Sequence, residues 1–331
     1  MENVCVRQIE RDRWEEVINH FPYNLYNTLS MIDVICNSYN GEAIFLTFWR
    51  KDNLVGCMNL ILVKELYLKS AFAPMTRLWG RPTLLLLEAE KNNIKMFVDL
   101  LCRYLKQMNV DVLHIYFLLP QDYPYLIKRL DTKIISLEDK PENLWKRVHP
   151  TGKRRYVQYA LKYGVNVRPL ESYRDLETFY QMYTEVWNKM DISRYFRKKH
   201  TLAYFQNLIN NPQNILWLAY REKTLLAGTL VTSGNGTAYY QHNASFSKYQ
   251  KYFPNHLLMW NAIKSAAASG NQYFDLAGVY LNMKRGIFKS GWGKSCQESY
   301  YYYSIPLSQK GKILVKTFKF ENKLYNIFIK R

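Results

Sequence analysis

The chain has 331 residues, 48% hydrophobic and 16% aromatic, which is enough apolar material for packed cores and excludes a disordered chain. Its 46 Lys and Arg outnumber 27 Asp and Glu, for a formal charge of +19. Such an excess points to a phosphate-bearing partner, whether nucleic acid, a nucleotide-linked precursor or an anionic membrane; the alternative is a Lys-rich composition without a role.

The start, MENVCVRQIERDRWEE, is charged where a secretion signal needs an apolar stretch, so the expected location is the cytoplasm. A first helix is expected over Asp12 to His20. Ala43 to Pro74 then reads as strands: an apolar run ending in an arginine, a polar turn, a strand with a Gly step and an alternating strand. Asn93 to Gln107 has helical spacing at Phe97, Leu100, Leu101 and Leu105, and VLHIYFLLP follows as a strand. The polar connection from Leu137 to Pro150 marks a boundary. A helix at Tyr173 to Trp187 opens the second half, and Asn214 to Ser245 repeats the strand pattern. Arg50 and Leu54 share one offset with Arg221 and Leu225. Asn255 to Ala268 is the next helix, stopped by Gly270, and YFDLAG is the strand after it.

Each half therefore reads helix, strands, helix, strand, an α/β (α+β) arrangement in which a mixed, twisted sheet is flanked by helices. The expected domains are 1–145 and 150–331, with the boundary between 137 and 153. The five scattered cysteines lack any C-x-x-C spacing and the six histidines any metal spacing, so neither disulfides nor a metal site is expected.

This order of elements resembles the GNAT acyltransferase fold. Two copies in tandem, the second carrying KRRYVQYALKYGV, YYQHNAS, YFPNHLLMWNAIKSAAASG and FDLAGV with GIFKSGWG, resemble the Fem family, bacterial transferases that add amino acids from aminoacyl-tRNA to peptidoglycan precursors. The resemblance spans nearly the whole chain, is densest after Lys153, and is to the compact kind without a helical arm. It implies two tandem GNAT-like domains, the first on the acceptor side and the second on the acyl-transfer side. It also implies aminoacyl-tRNA as donor, a peptidoglycan or polysaccharide precursor as acceptor, and no further cofactor.

The residues leave open a related N-acyltransferase acting on an amino sugar from acyl-CoA or an acyl carrier, and a non-catalytic RNA- or membrane-binding protein. Against acyl-CoA stands Ser247 to His256, SKYQKYFPNH, which occupies the place of the Gly-rich pyrophosphate loop and contains no glycine.

Aminoacyl transfer needs orientation and oxyanion stabilisation more than strong acids or bases, so one fixed cation serves it. Phe288 and Lys289 resemble the family's functional Phe-Lys pair, and Gly286, Gly291 and Gly293 permit the tight path that aims the lysine; a surface lysine beside a core phenylalanine is the alternative. Lys153, Arg154 and Arg155 precede an amphipathic helix, and Arg155 best matches the family's arginine, read here as a phosphate grip; a solvated basic turn is the alternative. Tyr239 and Tyr240 must face opposite sides, and the family pattern assigns the substrate-orienting hydroxyl to Tyr240. Asp275 at the strand end is either a proton acceptor or a cap on the Ala277 or Gly278 amide. In the first half Arg77 and Arg81 are expected to hold a diphosphate with Trp79 stacking on a base or sugar, although an acidic residue the family has shortly after this point is missing. The tail, Lys310 to Arg331, mixes apolar and basic residues, and reads either as peripheral contact with an anionic membrane or as a packed last helix.

Overall fold

The computed structural model describes residues 4–65, 67–73, 75, 76, 79, 80, 82–189, 200–278 and 284–317. The strands are β1 (Val4–Ile9), β2 (Glu42–Arg50), β3 (Asn53–Glu65), β4 (Leu68–Phe72), β5 (Met75–Thr76), β6 (Trp79–Gly80), β7 (Leu84–Leu86), β8 (Val112–Phe117), β9 (Leu126–Ser136), β10 (Val165–Pro169), β11 (Ile215–Arg221), β12 (Thr224–Gly234), β13 (Thr237–Ser245), β14 (Tyr273–Gly278) and β15 (Ser295–Pro306). The helices are α1 (Trp14–Ile18), α2 (Leu29–Tyr39), α3 (Ile94–Gln107), α4 (Pro141–Arg147), α5 (Arg155–Lys162), α6 (Tyr173–Asn188), α7 (Leu202–Ile209), α8 (Pro254–Ala268) and α9 (Lys284–Lys289), with a further helix at 309–317. No helix among the described residues is long and apolar enough to cross a membrane.

The residues form two compact units, one from the described parts of 1–130 and 299–331, the other from those of 131–192 and 199–298. The first unit orders its strands β1-β2-β3-β4-β8-β15, and the second β9-β14-β13-β12-β11-β10. In both, antiparallel neighbours meet one parallel pair, β4 with β8 and β13 with β14, which makes each sheet mixed.

These units differ from the expected 1–145 and 150–331 at both ends. Residues 132–136 of β9 pair antiparallel with β14, so the second unit begins before the polar connection. Residues 301–306 of β15 pair antiparallel with β8, so the end of the chain returns to the first unit. The reason is edge satisfaction: β8 and β14 each offer a ladder edge, and each takes its partner from beyond the expected boundary.

The repeat extends to an irregularity. In β2–β3 the register shifts between Phe48 and Trp49, and in β11–β12 between Ala219 and Tyr220, the same places by the offset that relates Arg50 to Arg221. The extra residues, Val55 and Leu226, are both buried. Bulges add local twist, which lets each sheet wrap its central helix.

Those central helices follow their apolar spacing. Helix α3 buries Phe97, Val98, Leu101 and Leu105, and α8 buries Leu258, Met259, Ala262, Ile263 and Ala266. Pro254 opens α8, where a missing N–H costs nothing, and Gly270 at φ +78° closes it. Burying five such side chains contributes on the order of 10 kcal/mol before the entropy of ordering them is subtracted. Helices α2 and α7 were not expected from the sequence.

Candidate functional site

The second unit opens its sheet at the parallel pair. Pairing of β13 with β14 runs from Thr237↔Tyr273 to Tyr239↔Asp275. Beyond it β13 stays with β12 as far as Ser245↔Ala227, while β14 stays with β9 at Gly278↔Thr132, so the two strands separate. A bulge falls beside this wedge: Leu230 faces His242, Val231 faces Tyr240, and Gln241 is the extra residue. Residues two apart on a regular strand share a face. Here Tyr240 joins the core under α8, whereas His242 turns towards Tyr183 and Phe205 on α6 and α7. His242 Nε2 lies 3.1 Å from the Tyr204 hydroxyl, and burial pushes the ring's pKa down to about 3.

Lys289 reaches into the wedge. Its Nζ donates to Gly278 O at the end of β14 over 3.0 Å, and stands 5.5 Å from the centre of the Tyr240 ring on β13. The ammonium thus bridges the two diverging strands. It closes the short helix α9, which was not expected from the sequence. Expected neighbours of this site at 279–283 lie outside the described residues.

A clamp holds α9 in place. Trp292 is 2% exposed, and its Nε1 donates to Phe288 O over 2.7 Å. The His149 amide donates to Gly291 O over 2.8 Å. Gly291 sits at φ +81°, and a Cβ there would come within 3.1 Å of the His149 Cβ, so both backbone angle and space require glycine. Lys153, only 7% exposed, donates to Ile287 O over 3.1 Å and lies 5.1 Å and 5.6 Å from the Phe288 and Trp292 ring centres. Two desolvated cation–π contacts are worth roughly 2 kcal/mol each. Burial also pulls the Lys153 pKa down to about 8. His256 packs against Phe288 and Trp292, and burial followed by the Lys153 charge lowers it to about 4.

The expected basic cluster is therefore divided. Lys153 points into the clamp and not to solvent, because π-type winding over Pro150–Arg154 turns it inward. Arg155 stays outside, its Nε donating to the Tyr159 hydroxyl over 2.7 Å. Arg154 has a buried Nε that meets no hydrogen-bond partner among the described residues. Phe288 lies in the clamp with one ring face on Lys153, and Tyr240 is 5% exposed, hydrogen-bonded to Thr229, its pKa raised by burial. Asp275 is 1% exposed; its Oδ1 accepts from the Ala277 amide over 2.7 Å and from the Thr132 hydroxyl. Ala277 has φ +53°, so the carboxylate serves as the amide cap that fixes the end of β14. Arg77 and Arg81 lie outside the described residues, as does the Trp79 side chain. Among the described residues no cluster of three or more His, Cys, Asp or Glu could hold a metal.

The turn from β13 to α8 is filled by rings. A single 3-10 stretch, Ser247–Tyr252, leads to Phe253 at φ +55°. Phe253 stacks on Tyr156 of α5 at 4.7 Å, and Tyr249, Tyr252 and Phe253 all pack against the core. The first amides of α8 are largely spent: residue 254 is proline, and the His256 amide donates to Phe253 O. Asn255 is tied to Ser245 and Asn243 by its side chain.

Sequence reasoning missed the Gln241 bulge and the partners of the clamp. The first had no signal in YYQH, which does not alternate. The second had one, because a Gly-Trp-Gly turn beside a Phe-Lys pair needs something to hold the tryptophan.

Residues 151–285, within the second unit, match the family model described as an acetyltransferase (GNAT) domain. No curated protein matches the chain. Among solved structures, it is similar to FemX, at 14% identity and TM-score 0.64 over 90% of this chain and 97% of that one. It is also similar to a tandem GNAT protein from the clavulanic acid biosynthesis pathway, at 9% identity and TM-score 0.54 over 91% and 98%. A third, L-PGS from Bacillus licheniformis, aligns at 10% identity and TM-score 0.53 over 95% and 96%. At these identities the likeness concerns the fold, which is a tandem of GNAT-like units. Within that class the arrangement is Fem-like.

Proposed function

We propose that the protein is an acyltransferase that moves an amino acid from aminoacyl-tRNA to an amine on a peptidoglycan precursor. The observation that carries the choice of donor is the turn from β13 to α8. A pyrophosphate cradle needs close backbone approach and unspent amides at a helix start. This turn offers stacked rings, a proline and amides already bonded.

The wedge supplies the chemistry. The acceptor amine attacks the ester carbonyl, an amide bond forms, the ester bond to the tRNA ribose breaks, and the amine's proton leaves with the released hydroxyl. Negative charge gathers on the carbonyl oxygen between these events. Lys289, held between Gly278 O and the Tyr240 ring, stabilises it. The Phe288–Trp292 clamp keeps the ammonium in place, so its reorganisation adds little to the barrier. Arg155 at the surface and the partly buried Arg154 beside it are the candidates to grip substrate phosphate, and Arg77, Trp79 and Arg81 those for the acceptor in the first unit.

A second reading, N-acylation of an amino sugar from acyl-CoA, is favoured by the match of 151–285 to an acetyltransferase model. Offering purified protein charged tRNA and acyl-CoA with candidate amine acceptors separates the two. Transfer from charged tRNA alone is expected, and transfer from acyl-CoA alone rejects the first reading. Transfer from neither rejects both and leaves a binding protein.

A further inference from the structure

Both units have a hollow at the same place of the fold, between the hairpin that joins two strands and the end of the central helix. In the second unit it measures about 370 Å³ and is lined by Trp217, Ser233, Asn235 and Asn271 among others, with no charged residue. In the first unit it measures about 640 Å³, and Lys64, Lys69, Lys106 and Lys310 converge on it. The fold therefore does not require this charge.

Among the described residues one carboxylate, Asp111, shares the first hollow, and its oxygens are engaged locally. Oδ2 accepts from the Lys69 amide over 2.9 Å and Oδ1 from the Ser308 hydroxyl. Lys69 Nζ is tied to Met108 O over 3.1 Å, which fixes one ammonium at the wall. Lys64, Lys106 and Lys310 are exposed at the rim. Two apolar side chains stand beside them in water: Tyr67, 85% exposed and lining the hollow, and Ile313, 69% exposed and one helical turn from Lys310. Lysines around a depression with an aromatic and an aliphatic side chain projecting past them form the pattern of an interfacial surface: ammonium groups meet headgroup phosphates while the apolar groups enter below them.

We propose that this hollow docks the first unit on an anionic phospholipid surface, with a headgroup phosphate between the lysines and Tyr67 and Ile313 at the acyl boundary. The residues at 318–331, which continue the basic tail, lie outside the described chain, and the site is built without them.

Co-sedimentation of the full chain with vesicles tests the idea and needs no transfer activity, so it stands apart from the proposed reaction. Vesicles of phosphatidylcholine with phosphatidylglycerol should bind the protein, less so as salt rises, and phosphatidylcholine alone should not. Each lysine near such a surface is worth about fivefold in partitioning. The triple variant Lys64→Gln, Lys106→Gln, Lys310→Gln should thus bind on the order of 100-fold more weakly, with unchanged circular dichroism. Tyr67→Ser should weaken binding further without altering its salt dependence. A charge-matched control, Lys162→Gln, Lys223→Gln, Lys264→Gln, removes three exposed lysines of the second unit and should bind nearly as wild type. Equal loss in both triples would assign binding to overall charge and overturn the proposal. Equal binding to both vesicle types would overturn it as well, as would a short RNA that binds through the same lysines while the vesicles do not.

Discussion

The two units use one plan and finish it differently. In the first, the parallel pair β4–β8 is sealed: pairing runs to Phe72↔His114, and the Ala73 amide continues it onto His114 O. The His114 ring stacks on Phe72 at 4.4 Å, with Nδ1 2.8 Å from the Tyr302 hydroxyl and 2.9 Å from that of Ser304. In the second, pairing stops at Tyr239↔Asp275 and a lysine enters the gap. The β3–β4 register also stays regular from Ile61↔Phe72 to Glu65↔Leu68, where β12–β13 carries the Gln241 bulge. Both parallel ladders have three residue pairs, so it is the bulge beside the second, with the lysine at its end, that sets the open pair apart. The arginines related by the repeat diverge too: Arg50 grips Glu90 with two hydrogen bonds, whereas Arg221 lies over the Tyr252 ring at 4.6 Å.

The contrast breaks if the open pair is not the reactive one. Lys289→Met should lower turnover by roughly 100-fold or more, about 2.7 kcal/mol, with acceptor affinity little changed. Lys289→Arg should restore part of it, because a planar fork does not reproduce a compact ammonium. Steady-state rates decide, and a fully active Lys289→Met would assign the wedge to packing. The sealed pair should respond in stability and not in rate. His114→Ala leaves a cavity and removes the ring nitrogen that two buried hydroxyls meet, so a loss of about 3 kcal/mol is expected in denaturant titration of the full chain, with turnover per folded molecule unchanged.

That histidine also fixes a pH response. Burial lowers His114 from 6.5 to about 3, so between these values the unfolded chain takes up a proton that the folded one refuses. Stability should fall as pH falls through that window, less steeply in His114→Phe. The clamp gives the opposite side of the curve. Lys153 is lowered from 10.5 to about 8, so from pH 8 upward the folded state sheds a proton the unfolded state keeps, and stability rises. The melting temperature of wild type relative to Lys153→Met should therefore rise as pH goes from 8 towards 10; a constant difference would remove the buried ammonium from the account. The smallest effect is expected at the repeat-related arginine. Glu90→Gln should cost about 1 kcal/mol at neutral pH. Because Arg50 holds the Glu90 pKa below its ordinary value, that difference should fade as pH falls through the folded-state pKa.

Much of this plan was legible because periodicity reports burial. The Phe97 to Leu105 spacing and the Met259 to Ala266 spacing gave both central helices, and the offset of Arg50 and Arg221 gave the repeat, though not the bulges that the same offset relates. Short elements were not legible: α2, LSMIDVICNSY, and α7, LAYFQNLI, are apolar runs too short for periodicity to tell a buried helix from a strand. In the candidate site, the position of Lys289 near the separating strands was readable from the glycines around it, and the cap on Ala277 was one of two readings of Asp275. The fate of Lys153 was not, since a lysine between a glycine and two arginines reads as surface until the aromatic partners 135 and 139 residues further on are brought to it.

The path of β15 bears on how the protein is made. A ribosome completes residues 1–130 long before it reaches 301–306, yet β8 needs those residues to cover its edge, and Tyr303 and Ile305 belong to the first unit's core. During synthesis the first unit must therefore wait, with one edge bare, while the whole second unit emerges and folds. Cutting the gene at the polar connection would make this wait permanent and yield a fragment prone to pair with its own copies. The two halves are repeats in pattern, but as nascent chains they are a single undertaking that closes only with its last strand.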